Sequence, residues 1–379
     1  MDISGLEFFI GGFANPSAAG GRVAAVARRV EEEGYDGWWV ADSPALAYDP
    51  YVALAIAATA TTRIKLAVYV TNPFSRHAIV TASSAAALQA ESGGRFVLGI
   101  GRGDSALAHI GLAPVAVQAF RRSLRCIQAY LRGEVVPFRP QEGELLGVAP
   151  LSSLGYEDVP KGSRVTWLPD TNLKVPVEVA ASGPKVLRVA GALADRVLIS
   201  VGAHAERVQW AIDEARTARS QAGLDPSLLG VSAQVCLNIH PDKAKAIDLC
   251  RWKVASASRF SAMQGRPAGP ASEEDRHTME RAREMYDMNR HGHHLNSVGS
   301  IADNAFVERH AIVGTPDQCI ERFCQLVHAG IDRFVIGSGL SPDADELITP
   351  QLLAQEVMPA VRAEIAKYPP ARFSSASRG

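Results

Sequence analysis

"RFVLGIGRGDSALAHIG", residues 95–111, sets three alternating glycines (Gly99, Gly101, Gly103), an Arg-Gly-Asp triplet and a helix-like run in one line. It has three readings: a dinucleotide-binding turn, an adhesion tripeptide, or a strand-to-loop corner of a barrel. Gly101 through Ala106 fits G-x-G-x-x-G/A between a strand and a helix. The acid expected about 20 positions later for a ribose hydroxyl is missing, however, because Ser105 through Gly133 contains neither Asp nor Glu. An adhesion triplet needs a secreted loop, and "MDISGLEFFIGGF" lacks the basic start and long apolar stretch of a signal peptide. The corner remains, and the flanking segments test it.

Upstream, strand-like and helix-like signals alternate. "EFFIGGF" (7–13), "WWVAD" (38–42), "IKLAVYVT" (64–71) and "RFVLGIG" (95–101) read as apolar strands. Helical patterns over 20–37, 49–62, 77–94 and 114–133 follow them, the second opening on Asp49 as N-cap and Pro50 at the first helical position. Continuously apolar strands with intervening helices imply a parallel sheet covered by helices. Segment 134–174, rich in Pro and Gly, breaks the rhythm and reads as an insertion. Strands then recur at 175–182, 196–202, 230–240 and 332–338, with helices at 183–194, 205–223, 242–260, 315–330 and 347–366. A second irregular, His-rich insertion covers 261–310, and 367–379 reads as a disordered tail.

Eight strands alternating with helices predict a single (β/α)8 TIM barrel over 1–366 with two insertion segments, and a doubly wound open sheet is the runner-up. Catalytic loops of such barrels follow the strand C-termini. Asp104 is therefore expected at the mouth as an acid, base or acceptor, or as the N-cap of the turn 105–111.

Bulk composition excludes several classes. The formal net charge of −1 gives no reason to expect nucleic acid, and "YVALAIAATA" (51–60) is too short to cross a bilayer. Five cysteines without a C-x-x-C pair fit neither a disulfide framework nor a structural zinc site, and suit a reducing cytoplasm. The histidines of "NRHGHHLNS" (289–297) lack suitably spaced carboxylate or thiol partners, so no metal is expected.

Taken in order, "WWVAD" (38–42), "VTNPFSRHAIVTAS" (70–83), "ESGGRFVLGIGRGDSALAHIG" (91–111), "ASGPKVLRVAGALADRVLIS" (181–200) and "AIVGTPDQCIERFCQLVHAGIDRFVI" (311–336) resemble the bacterial luciferase-like superfamily. The similarity is closest to its deazaflavin-dependent methylenetetrahydromethanopterin reductase-like branch. The resemblance implies a (β/α)8 barrel that holds coenzyme F-420 (a deazaflavin) or FMN in its mouth. It also implies a non-prolyl cis peptide near Tyr69-Val70, bulging against the ring. Asp42 matches an acidic position near the ring, although Ser43-Pro44 stands where a histidine is usual, which argues against the sugar-phosphate dehydrogenase branch. Thr71 and Asn72 match ring-edge contacts, and Gly101, Gly103 and Asp104 match the strand-four corner, Asp104 as proton donor. Ser182, Gly183, Pro184 and Lys185 match a phosphate-binding turn, where helix N-terminal N–H groups and a lysine favour an anion; Gly202 and Ala203 are a further phosphate contact. Ser182 as a plain helix cap is the competing reading.

His77 is read as either a catalytic or a capping residue. Trp38, Trp39, Tyr48 and Tyr51 are read as pocket wall or core, and Arg76, Arg102 and Lys185 as partners for the cofactor's acidic tail. The expectation is a cytoplasmic homodimeric oxidoreductase that moves hydride between the deazaflavin and a small organic substrate. The alternatives are an FMN-dependent monooxygenase, a non-catalytic flavin-binding barrel, and a hydrolase using Asp42 with Asp104. Both insertions are expected to shape the substrate pocket.

Overall fold

The computed structural model describes residues 5–14, 23–138, 147–168, 173–337 and 348–370. Its strands are β1 (Glu7–Gly12), β2 (Gly37–Val40), β3 (Lys65–Thr71), β4 (Phe96–Ile100), β5 (Val177–Ala181), β6 (Arg196–Ile199), β7 (Gly230–Val235) and β8 (Arg333–Gly337). They pair in parallel in chain order, and β8 returns to β1 to close the barrel. The open-sheet alternative is thereby excluded. Tail residues 371–379 and the first residue of the last helix lie outside the described residues.

Alternation along each strand sorts side chains into two cores. Phe9, Trp39, Ala67, Tyr69, Val97, Leu198 and Val335 fill the interior. Phe8, Trp38, Val40, Leu66, Val68 and Leu98 face outward under the helices. Helices include α1 (Val23–Glu32), α2 (Pro50–Ala60), α3 (Ala78–Glu91), α4 (Val117–Leu131), α5 (Pro184–Leu193) and α6 (Ala205–Gln221). The expected α2 start holds: Asp49 accepts from Tyr51 N (2.9 Å) and Val52 N (3.2 Å), with Pro50 in the first turn.

The expected seventh strand divides. After Val235 the chain leaves the barrel, and Leu237–Ile239 pairs in parallel with Ile312–Gly314, the point of return. Between them lie α7 (Lys243–Ser258), α8 (Glu273–Met285) and α9 (Asn304–His310), so much of segment 261–310 is helical rather than irregular. Cys250, Val254, Met279, Ala282, Val298 and Phe306 give it a small core of its own. We call this excursion the cap. It follows a strand C-terminus, and so sits over the mouth.

The described residues of segment 134–174 lie at the opposite end, contrary to the expectation that the segment shapes the pocket. It follows a helix, and helix-to-strand connections of a (β/α)8 barrel run along the N-terminal face. Its described residues hold to that face: Tyr130 Oη and Ser163 Oγ are 2.8 Å apart, and Lys174 pairs with Asp195 just before β6 at 2.7 Å.

Candidate active site

Strand three brings the first residues together. The Tyr69–Val70 peptide is cis, and the β3–β4 register shifts between Val68 and Thr71. Gly99 answers this bulge from β4, because a Cβ there would collide with the Tyr69 ring and the Val68 carbonyl. The Tyr69 side chain points away from the mouth, its hydroxyl donating to Glu178 and accepting from Arg333. Any contribution of Tyr69 to a ligand is therefore through its backbone.

Asp42, two residues past β2, is buried. Its Oδ2 accepts from Thr71 Oγ1 and from Arg76 Nη1, both at 2.6 Å. Arg76 also donates to Asp49 (2.6 Å) and lies over the Tyr51 ring. Burial pushes the Asp42 carboxyl upward, against the Thr71 hydrogen bond and the Arg76 charge. Its Oδ1 is buried without a partner. Asn72 is alike: its Oδ1 accepts from Phe74 N (3.0 Å) and Ser75 N (2.9 Å), while its Nδ2 is buried and unpartnered. A buried polar atom without a partner costs about 1–3 kcal/mol, so these two sites favour a polar ligand edge.

The strand-four corner is next to them. Gly101 N donates to Thr71 O (2.9 Å), and Ser43 and Ser105 share a 2.6 Å hydroxyl contact across the two loops. Asp104 occupies the N-cap position of the short helix Ser105–Ala108, yet its side chain makes no capping bond. It binds Arg259 of the cap instead, Oδ1 to Nη1 at 3.1 Å and Oδ2 to Nη2. The Arg259 guanidinium stands 4.1 Å from the centroids of both the Phe260 and Tyr286 rings. Tyr286 Oη meets His291 Nδ1 at 2.7 Å, and burial holds that imidazole down at about 4, neutral near pH 7. No local motif marks Arg259, which is 155 residues from Asp104.

The remaining positions divide. Gly183, not Ser182, caps α5 without a side-chain bond, and Ser182 Oγ donates to Phe260 O of the cap (3.1 Å). The plain-cap reading of Ser182 is thereby corrected. The N–H groups of Gly183 and Lys185, on either side of Pro184, lack intrahelical partners and present a positive helix end. Gly202 lies against His310, whose carbonyl accepts from Ala203 N (2.9 Å). His77 is exposed and caps α3, its Nδ1 accepting from Ile79 N (3.3 Å). Trp38 and Trp39 are core residues. Arg76 is taken by its two carboxylates, whereas Arg102 and Lys185 line one groove of about 840 Å³ with Arg121 and Arg188. Among the described residues no three His, Cys, Asp or Glu side chains gather as a metal site.

The luciferase-like monooxygenase family model matches residues 7–333. A 5,10-methylenetetrahydromethanopterin reductase of Methanolobus tindarius is 28% identical over 345 residues, covering 89% of this chain and 95% of that protein. The coenzyme F-420 dependent tetrahydromethanopterin reductase of Methanopyrus kandleri superposes with a TM-score of 0.70 at 24% identity, covering 94% of this chain and 99% of its own. The oxygenating constituent of 3,6-diketocamphane monooxygenase of Pseudomonas putida, solved with FMN, superposes at 0.62 with 16% identity, over 94% and 98% of the two chains. At these identities the two structures establish a shared fold.

Proposed function

The chain belongs to the luciferase-like monooxygenase family, and on that premise we propose a deazaflavin-dependent oxidoreductase that transfers hydride between coenzyme F-420 and a small organic substrate. The observation that carries this reading is the pair of unpartnered buried atoms, Asp42 Oδ1 and Asn72 Nδ2, beside the bulged end of β3. A buried acceptor on Asp42, which Thr71 holds, and a buried donor on the residue after Thr71, Asn72, suit the polar edge of a flat heterocycle. Thr71 and Arg76 fix the Asp42 carboxylate, and the Val70 backbone with Gly101 and Gly103 backs the ring. Ser182, Gly183, Pro184 and Lys185, with Gly202 on the next strand end, receive the cofactor phosphate. Arg102, Arg121 and Lys185 offer the acidic tail a cationic groove, Arg188 beside them being paired with Glu214 (2.8 Å). The bound deazaflavin supplies the hydride chemistry.

The chain's own share is orientation, water exclusion and proton handling. The cap closes the mouth through Arg259 and Phe260. Asp104 stands at the corner where the proton that accompanies hydride is taken up or returned. The exposed, capping position of His77 favours Asp104 over it for that role. Five cysteines, none of them in a disulfide, support a reducing compartment, the cytoplasm. Apolar side chains exposed on α2 and α3 support a homodimer.

FMN-dependent oxygenation is the second reading, favoured by the likeness to a monooxygenase fold that holds FMN. Titration of the protein with coenzyme F-420 and with FMN, followed by fluorescence, tests both. F-420 is expected to bind, about tenfold or more weaker in Asp42→Asn, which loses a charge-assisted contact of roughly 1.5–3 kcal/mol. Preference for FMN, with reoxidation of its reduced form by oxygen, transfers the assignment to monooxygenation. Binding neither cofactor overturns the redox reading, and binding without turnover of any carbonyl, alcohol or imine identifies a non-catalytic flavin-binding barrel.

A further inference from the structure

We infer that Arg259 is a positioning residue: it draws the Asp104 carboxylate off the helix that it would otherwise cap and holds it at the barrel mouth. Seating of the cap thus decides where that carboxylate stands.

Three observations converge. Asp49, Asp225, Asp242, Asp287 and Asp303 each occupy an N-cap position, and each accepts a backbone N–H from its own helix. Asp104 also precedes a helix, but its backbone is turned differently, at φ −140° and ψ −99°, and its side chain makes no such bond. Aspartate is among the best capping residues, a cap being worth about 1 kcal/mol, so both the turned backbone and the missing bond call for a competing partner.

The second observation is the competitor. A bidentate carboxylate–guanidinium pair is stronger than a neutral capping bond, and this one is largely removed from water, with the Arg259 side chain 5% exposed. The Phe260 and Tyr286 rings hold the guanidinium from two sides, so little freedom is lost when the pair forms.

The third is where Arg259 comes from. It opens the turn Arg259–Ala262 directly after α7, in the cap. Nearby links seat the cap on the strand ends: Ser182 Oγ donates to Phe260 O (3.1 Å), and Arg207 donates to Pro270 O (2.8 Å) and to Ser261 Oγ (3.0 Å). Seated, the cap supplies the guanidinium and Asp104 faces it. Lifted, it removes the partner and leaves Asp104 the first-turn amide of its own helix at Ala106 N, Leu107 N already donating to the Asp104 carbonyl (3.1 Å). Only the catalytic consequence rests on the redox reading proposed above. The positional claim stands on the protein alone.

The test is made without cofactor, so its failure leaves the titration above untouched, and the converse holds. Crystal structures of Arg259→Met and Arg259→Lys are compared with amide hydrogen exchange at Ala106. In Arg259→Met the Asp104 carboxylate is expected within hydrogen-bond distance of Ala106 N, and exchange at Ala106 slows by about fivefold. Arg259→Lys keeps the carboxylate at the mouth, and Asp104→Asn combined with Arg259→Met shows whether the slowed exchange needs the carboxylate. A merely structural arginine would loosen the cap without moving Asp104. If Asp104 keeps its mouth position in Arg259→Met, or leaves it equally in Arg259→Lys, the proposal is overturned. Tyr286→Leu, which retains the arginine and weakens its clamp, gives the same readout at partial amplitude should Arg259→Met fail to fold.

Discussion

At the scale of single residues, the strand-four corner owes its shape to Gly103 as much as to any charged group. Gly103 holds φ at +88°, and a Cβ there would stand 2.6 Å from Leu107 Cδ1. Gly103→Ala is therefore expected to cost about 1–3 kcal/mol, read as a lowered urea midpoint with an unchanged slope. An unchanged midpoint would show that the corner relaxes. The same few residues mark how far a sequence reaches. Asp104 is legible as a site candidate because it follows an apolar strand, and Asp42 and Asn72 through the family resemblance. Their partners are not, since Arg76 and Arg259 are decided by which loops meet. His77 has the right chemistry and the right neighbourhood in the sequence, yet it spends its ring nitrogen on its own helix.

At the scale of elements, α2 and α3 are unusual. Surface helices ordinarily keep a polar face, but "PYVALAIAATA" offers almost none. Val52 and Ile56 on α2, and Val80 on α3, are 47%, 37% and 48% exposed. The homodimer proposed above would cover this face and account for the composition. The wild type is expected to sediment as a dimer, and Val52→Glu with Ile56→Glu as a monomer with its circular dichroism retained. A wild-type monomer would remove the homodimer. The cap makes the complementary case: it has its own core, and its neck is two short strands. Phe306→Ala, at about 3–5 kcal/mol for a buried aromatic, is expected to raise hydrogen exchange in α8 and α9 while the barrel strands stay protected. Equal loss across the barrel would make cap and barrel one cooperative unit. The sequence left this element unread, because "EEDRHTMERAREM" carries only a thin apolar stripe that acquires meaning once α7 packs against it.

At the scale of the whole molecule, closure of the barrel assembles a buried charge network at the end opposite the mouth. Arg333 of β8 pairs with Glu7 of β1 and Glu178 of β5, while Arg196 of β6 pairs with Asp332. Burial alone would push the Glu7 carboxyl up. The charges of Arg333, Lys65 and Arg196 outweigh it and hold that carboxyl at about 2, against 4.5 in the unfolded chain. A depressed native pKa stabilises the fold fully above the unfolded value, and that stability is lost as pH falls from about 4.5 toward 2, on the order of 3 kcal/mol at most. Glu7→Gln is expected to flatten the decline of the urea midpoint between pH 5 and pH 2.5. An unaltered slope would assign the acid sensitivity to other carboxylates.

The sequence by itself determined the alternation of strands and helices that favours a barrel, because strand and helix periodicities and turn residues are local properties of the chain, while closure over an open sheet was decided by the pairing of β8 with β1. It also determined which strand ends carry polar residues, for those follow directly from the rhythm. Only the tertiary structure decided which end of the barrel each insertion serves, which aspartate meets which arginine, and that Asp104 faces the cap rather than its own helix. Those outcomes are competitions between partners far apart in the chain, and the winner depends on distances that exist only once the barrel has closed. The glycines of "GIGRGD" illustrate the division. Their spacing is written in the sequence, while the reason for Gly99, a bulge on the neighbouring strand, is written in the fold.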